Sequence, residues 1–329
     1  VLSLITIFTL SSLEKTSAQQ NSNDNLILWY DRPAYVWEET LPLGNGRLGA
    51  MVSGGIVEEY IGLNEGTMWS GGVQHTDNPE ALKWLPHIRE ALLNGDNRRA
   101  EELMYRHFTC SGGGSASPEY GCYQMFANLF VRSNIAKNST ITDYRRELRL
   151  RDAIASTSFK ADDVKHNREY FTSYGDNILV ARYRSTEPTN YEILLTRPKY
   201  IAIEASDSEI DGRGTITIEG RLESGSEREG VAYFGKAMVE SDGNISADGE
   251  HLSISGATTM IIYFTAATSY NNDNPNDVVN NKIGGYLLDT TLQDEDYDKR
   301  RSEHIEAYRK WFDRVEIDLG EQRLSLIHI

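Results

Sequence analysis

The sequence predicts a mainly β fold: a large, supersandwich-like antiparallel β-sandwich with an inserted helical hairpin and a C-terminal linker helix. Three observations predict it. Short β-branched and aromatic runs recur between residues 154 and 266 at roughly even spacing. Turn dipeptides separate several of them, at Asp211-Gly212, Asp242-Gly243 and Asp248-Gly249. No helical segments alternate with these runs, as a parallel βα sheet would require.

Along the chain, residues 1–18 open with an apolar stretch, VLSLITIFTL, and close on the small residues Thr16-Ser17-Ala18. That pattern reads as the remnant of a secretory signal peptide, too short to cross a bilayer that needs ~20 apolar residues. Export to the periplasm or the cell exterior is therefore expected. Residues 19–25 are polar and are expected to be a disordered linker. The span 26–295 is assigned to the β-sandwich domain. Its first part, to Gly72, alternates short apolar runs with glycine turns.

Asn78-Pro79 then opens a helix, asparagine suiting the cap and proline the first turn. Leu82, Leu85, Ile88 and Leu92 follow at helical spacing, and Pro86 is expected to kink or restart the helix. Gly95 ends it, and Asp96 caps a second helix carrying Ala100, Leu103, Met104 and Phe108. After a Gly/Ser-rich loop, strands are predicted at 154–160, 167–171, 178–184, 192–196, 215–219, 231–240, 252–255 and 260–266. Residues 296–323 are expected to form a linker: an amphipathic helix over 297–312, with Ile305, Tyr308, Trp311 and Phe312 on one side, then a strand at 315–319. The last six residues, 324–329, continue no pattern and read as a translated sequencing adapter.

Charge narrows the function. The chain has 33 basic and 49 acidic residues, a net charge of −16, and no basic cluster beyond the interrupted run 145–151. Nucleic acid and anionic membrane are excluded as partners on that balance, because phosphate binding needs clustered Lys and Arg. A neutral carbohydrate fits, and the 18 tyrosines supply aromatic faces that suit either sugar rings or strand packing. Cys110 and Cys122 flank the Gly/Ser-rich loop. A disulfide there would contribute about 3 kcal/mol by the chain-entropy argument, and two thiols are the other reading.

Gly44, Gly46 and Gly49 spell G-x-G-x-x-G, but Pro42 precedes the motif and a strand-like run with a Gly-Gly turn follows it. A dinucleotide site needs a helix there, so the glycines read as turns. No G-x-S-x-G, phosphate-loop or H-E-x-x-H motif occurs, and the seven histidines show no ligand spacing. No metal site and no cofactor is expected.

A longer ordered series is more specific. It comprises Leu28-Trp29-Tyr30-Asp31-Arg32-Pro33-Ala34, Trp37-Glu38-Glu39, LPLGNGRLGAMVSGG at 41–55 and IGLNEGTMWSGG at 61–72. YRRELRLRDA at 144–153, NREYFTSY at 167–174, Gly220-Arg221-Leu222 and HIEAYRKWFDRVEIDLG at 304–320 follow. The series resembles the N-terminal domain of glycoside hydrolase family 95, the α-L-fucosidase family. Two positions depart from the family pattern: Gly66 stands where Asn-Glu-Asp is expected, and residues 123–128 read YQMFAN where Tyr-Gln-x-x-Gly-Asp is expected.

The resemblance implies that this domain precedes an (α/α)6 barrel in which an α-L-fucoside is hydrolysed with inversion. Every catalytic residue would then lie beyond Gly320, and the present chain is expected to be inactive alone. Asn64, Glu65 and Trp69, in a polar Gly-flanked loop, are the candidate substrate-proximal residues. Arg197-Pro198 and Glu169-Tyr170 are expected to serve packing and ion pairing. The implied partners are a fucosylated oligosaccharide or glycan and the barrel itself. A free-standing carbohydrate-binding sandwich and the equivalent domain of an α-L-galactosidase are the alternatives.

Overall fold

The computed structural model describes residues 26–74, 76–111, 114–198, 202–207, 213–271, 274–287, 292 and 294–317. The expectations for residues 1–25, for Asp211-Gly212 and for 318–329 lie outside the described residues. The first strands are β1 (Ile27–Tyr30), β2 (Leu41–Gly44), β3 (Leu48–Val52), β4 (Glu58–Glu65) and β5 (Ala127–Ser133). Next come β6 (Ile141–Arg149), β7 (Ile154–Ala161), β8 (Val164–Thr172), β9 (Leu179–Thr196) and β10 (Ala202–Asp207). The last are β11 (Gly214–Arg221), β12 (Ala232–Ser241), β13 (Asn244–Asp248) and β14 (His251–Thr268). The helices are α1 (Ala81–Leu93), α2 (Asn97–His107), α3 (Pro275–Leu287) and α4 (Asp294–Phe312).

The mainly β, antiparallel expectation holds, with one refinement: the layers are a single curled 14-stranded sheet. Its spine is the pair β9 and β14, each 18 residues long. The first part of β9 pairs with β8, at Leu179 to Ser185, and its last part pairs with β5, at Tyr191 to Thr196. β14 follows it through both segments, with register shifts between Ile254 and Thr259. There Gly256 adopts a positive φ of 72° and Pro188 lies on the exposed stretch of β9. A proline without an N–H is tolerated at such a bulge, and the bulge bends the strands from one layer into the other. The sequence therefore reads as two strands where the chain makes one, twice.

Between the layers lies the main core, with Leu63, Phe126, Leu129, Tyr170, Ile193, Ile218 and Phe264 all fully buried. A second cluster covers the outer face, where Ile283 and Tyr286 of α3 and Tyr297 of α4 meet Phe171, Val180 and Ile261. Residues 260–268 of β14 are consequently buried on both faces, which is why they read as an apolar run without alternation. α3 was not anticipated. It is rich in asparagine and glycine, and its helical face becomes visible only against the sheet.

α4 lies where the linker helix was expected, but its inner face differs. Tyr297 and His304 are buried, whereas Trp311 is exposed. Polar seams fix it: Tyr297 Oη donates to Glu169 at 2.7 Å, Arg301 Nε to Glu169 at 2.8 Å, and Tyr308 Oη to the Leu150 carbonyl at 2.8 Å. The strand expected at 315–319 does not form over its described part. Val315 and Ile317 are exposed and belong to no ladder. Arg197 is a packing position as expected, donating to the Phe126 carbonyl at 3.0 Å.

The hairpin forms as predicted at its centre. Gly95 takes φ 75°, and the Asp96 carboxylate accepts the Arg99 amide at 3.0 Å. Ile88, Ala91, Ala100 and Leu103 make its own small core. Pro86 does not end α1, which runs through it; the missing donor is offset by the packing of Ile88 and Ala91. Leu82, Leu92, Met104 and Phe108 are exposed, so the apolar stripe is narrower than the spacing suggested.

Inside the core, Glu59 and Arg168 form a buried ion pair at 3.1 Å. Glu59 also accepts from Ser53 Oγ, the Gly54 amide and Tyr170 Oη at 2.9, 2.8 and 3.0 Å. Arg168 donates to the carbonyls of Gly55 and Ile56, the latter at 2.7 Å. Removing one partner strands the other in the core. Arg168→Met should lower unfolding stability by about 3–5 kcal/mol in urea titrations.

His166 stacks on Phe159 at 4.9 Å beside this pair. Burial, with the Arg168 charge adding to it, pushes its pKa down to about 4. The folded value lies below the unfolded one of about 6.5, so this contribution is complete above pH ~6.5 and declines as the pH drops towards 4. Between pH 7 and 5 the loss amounts to about 2 kcal/mol. His166→Gln should remove that part of the acid sensitivity, checked by urea unfolding at the two pH values.

Candidate functional site

β4 ends at Glu65, and the chain leaves the sheet through a loop fixed from beneath. Glu65 is fully buried. Its Oε2 accepts the Thr67 amide at 2.7 Å and the Thr67 hydroxyl at 2.6 Å, and its Oε1 faces Arg47 Nε at 3.2 Å. Thr67 Oγ1 lies 2.5 Å from Thr268 Oγ1, which accepts the Tyr270 amide at 3.3 Å. One buried carboxylate thus steadies two loops that are two hundred residues apart in sequence.

Trp69 follows, pairing as a lone β-bridge with Tyr123. Its indole Nε1–H donates to the Tyr120 carbonyl at 3.3 Å, and its ring meets that of Tyr123 edge-on at 6.4 Å. Tyr123 Oη donates to Asn64 Oδ1 at 3.0 Å; burial, with the Glu65 charge behind it, raises the phenol's pKa. Glycines let these loops interlock. Gly71 and Gly121 have φ of 90° and 62°, and a Cβ on Gly121 would fall 1.9 Å from the Ser70 carbonyl oxygen.

The loops enclose an open cleft of about 720 Å³. Trp69, Tyr120 and Tyr270 present aromatic surface to it, Trp69 being 46% exposed. Arg221, Arg228 and Glu229 supply the polar rim, and Arg221 holds Glu229 at 3.0 Å. Aromatic faces beside donors and acceptors match a ring that is apolar on its C–H face and polar at its edges. Glu229 is the one carboxylate in the lining, so the two acids of glycoside hydrolysis are not assembled there. Among the described residues, no cluster of His, Cys, Asp or Glu is arranged to hold a metal ion.

The structure separates the three candidate residues. Trp69 lines the cleft. Asn64 lies behind it and accepts from Tyr123. Glu65 is a correction: with no exposed surface it cannot touch a ligand, and it acts as a brace. Of the two readings of the cysteines, the structure has the thiols. Cys110 and Cys122 are not joined; both are exposed, and Cys122 Sγ accepts from Gln124 Nε2 at 3.1 Å while lying 3.9 Å from Ser70 Oγ. Of the nucleotide-like glycines, Gly44 ends β2, Gly49 lies in β3 opposite it, and Gly46 takes φ 89° in the turn between them. Tyr120, Tyr270, Arg228 and Glu229 escaped sequence reading because they come from separate loops without any common spacing.

The chain belongs to the family described as glycosyl hydrolase family 65, N-terminal domain, whose sequence pattern matches residues 28–273. Alpha-L-fucosidase 2 of Arabidopsis thaliana is 24% identical over 325 residues, covering 92% of this chain and 37% of the relative. A "Probable alpha-fucosidase A" of Aspergillus niger is 27% identical over 316 residues, 89% of this chain and 38% of the relative. Its namesake in Aspergillus oryzae is 24% identical over 327 residues, 91% and 42% respectively. The resemblance to α-fucosidase N-terminal domains is borne out, and the chain spans about two fifths of the length of these curated relatives.

Bracing and contact roles separate on mutation. Glu65→Leu should cost about 2 kcal/mol or more, because Thr67 loses two bonds and Arg47 its partner. Trp69→Ala should cost less than about 1 kcal/mol, its ring being half exposed. Chemical denaturation of both variants checks the contrast.

Proposed function

We propose that this chain is the N-terminal, non-catalytic domain of an exported, inverting α-L-fucosidase of glycoside hydrolase family 95. The observation that carries this reading is the alignment: about nine tenths of the chain matches proteins named α-fucosidases, along only two fifths of their length. In this reading the remaining length supplies a helical barrel with the acid and the positioned water. The Trp69 cleft contributes an aromatic wall at the barrel's edge. Trp69 and Tyr270 stack on sugar rings of a fucosylated glycan, and Arg228 and Glu229 bond to hydroxyls.

A free-standing carbohydrate-binding domain is the second reading, favoured by one feature: loops of this chain alone supply the aromatic faces and polar rim of the cleft. Turnover by the longer gene product separates the two. The longer polypeptide should release L-fucose from a fucosylated oligosaccharide, and proton NMR of the first product should show the β-anomer, as inversion of an α-fucoside requires. The 329-residue chain should release none. Release of galactose instead of fucose, or turnover by the isolated chain, would contradict the proposal.

A further inference from the structure

A second cleft lies at the other end of β4. It encloses about 460 Å³ between the segment 33–40 and the segment 53–60, with Tyr35, Trp37 and Tyr60 as its aromatic walls and Glu58 at its rim. Tyr35 is 76% exposed and Trp37 58%. Glu58 here and Glu65 behind the first cleft are seven residues apart on one strand, which places the clefts about 23 Å apart.

Both walls are braced from below by buried arginines. Arg146, fully buried, donates from Nε to the Arg32 carbonyl at 2.8 Å and from Nη1 to the Glu39 carbonyl at 2.6 Å. Above it, Arg32 grips Glu39 in a bidentate pair at 2.8 and 2.7 Å, and Glu39 also accepts the Tyr35 amide at 2.9 Å. These bonds, Arg32 first, hold the Glu39 carboxyl down to about 2. The Ala34 amide bonds the Ser53 carbonyl at 2.9 Å, joining one wall to the other. The opposite wall is held by Arg168 through the carbonyls of Gly55 and Ile56.

A surface loop ordered at so many points, yet carrying its aromatic side chains outward, has its ordering cost met before any ligand arrives. The rim charge is also spoken for: Arg132 binds Glu58 at 2.6 Å and Glu192 at 3.1 Å. Neither an anion nor a cation finds an uncompensated partner, and the chain's net charge of −16 opposes phosphate and sulfate. What remains is a neutral ligand with an apolar face and hydroxyl edges.

We propose that Tyr35 and Trp37 form a second carbohydrate-binding platform, for a neutral oligosaccharide, separate from the Trp69 cleft. This rests on the carbohydrate reading above. It gives the domain two contacts on one extended glycan or on two chains, the second remote from any hydrolysis.

The test is a titration of the ¹⁵N-labelled 329-residue chain with lacto-N-fucopentaose, a neutral fucosylated pentasaccharide, following the indole N–H signals. Trp37 reports the second cleft and Trp69 the first. The Trp37 signal should shift saturably, and Tyr35→Ala should weaken that response by roughly tenfold while the rest of the spectrum stays unchanged. A saturable shift at Trp69 with none at Trp37 overturns this platform and leaves the first cleft standing. A well-dispersed spectrum in which neither signal moves overturns both. Shielding of Trp37 from acrylamide quenching in the longer, sugar-free polypeptide would also overturn the platform, because the face would then belong to another domain.

Discussion

The antiparallel pairing of β9 with β14 is the constraint on which the rest depends. Both strands run through both layers, so one ladder fixes the spacing of the layers, the position of the core and the directions in which loops leave the sheet. Every other strand is placed by its distance from that ladder. β8 and β12 flank it in one layer, and β5 joins it in the other. The bulge near Gly256 and Pro188 is where one layer turns into the next, and a flat ladder there would leave the core open.

From that spine follow the two ends of β4. The strand is held against β5, and so against β9, and carries a buried carboxylate at each end: Glu59 near its start and Glu65 at its close. Each accepts hydrogen bonds from loop residues, Ser53 and Gly54 on Glu59 and Thr67 on Glu65, and each faces an arginine. A buried charge paired in this way is costly to disturb, which makes it a firm anchor for a loop that must keep a set shape in water. Trp69 stands on the loop that Glu65 anchors, whereas Tyr35 and Trp37 stand on one held by Arg146 and the Arg32–Glu39 pair and face the segment that Glu59 and Arg168 fix. Order below and exposure above are two sides of one arrangement.

Much of the fold was legible because its signals are local. Gly95 and Asp96 mark a helix stop and a helix start by local chemistry alone, and strands such as β7 and β11 alternate buried and partly exposed residues as a half-buried strand must. α3 was not legible: its apolar residues Val279, Ile283 and Tyr286 are few, and the sheet that covers them is distant in sequence. The predicted strands stopped short of Pro188 and Gly256, where the chain bulges and continues instead of turning. At the site, Trp69 stood out as an aromatic residue in a glycine-rich loop. The roles of Asn64 and Glu65 did not, since a carboxylate that contacts a ligand and one that braces a loop look alike until burial is known. The cleft's other walls, from loops near 120, 228 and 270, meet only through tertiary packing.

On the function proposed above, this domain presents a built aromatic surface to glycans at the end of its sheet. The decisive measurement is a crystal structure of the longer polypeptide of that proposal with an uncleaved fucosylated oligosaccharide. A sugar ring is expected in van der Waals contact with the Trp69 indole, about 4 Å away, with Glu65 still buried beneath the loop. A glycan bound elsewhere, with protein packed over Trp69, would contradict it.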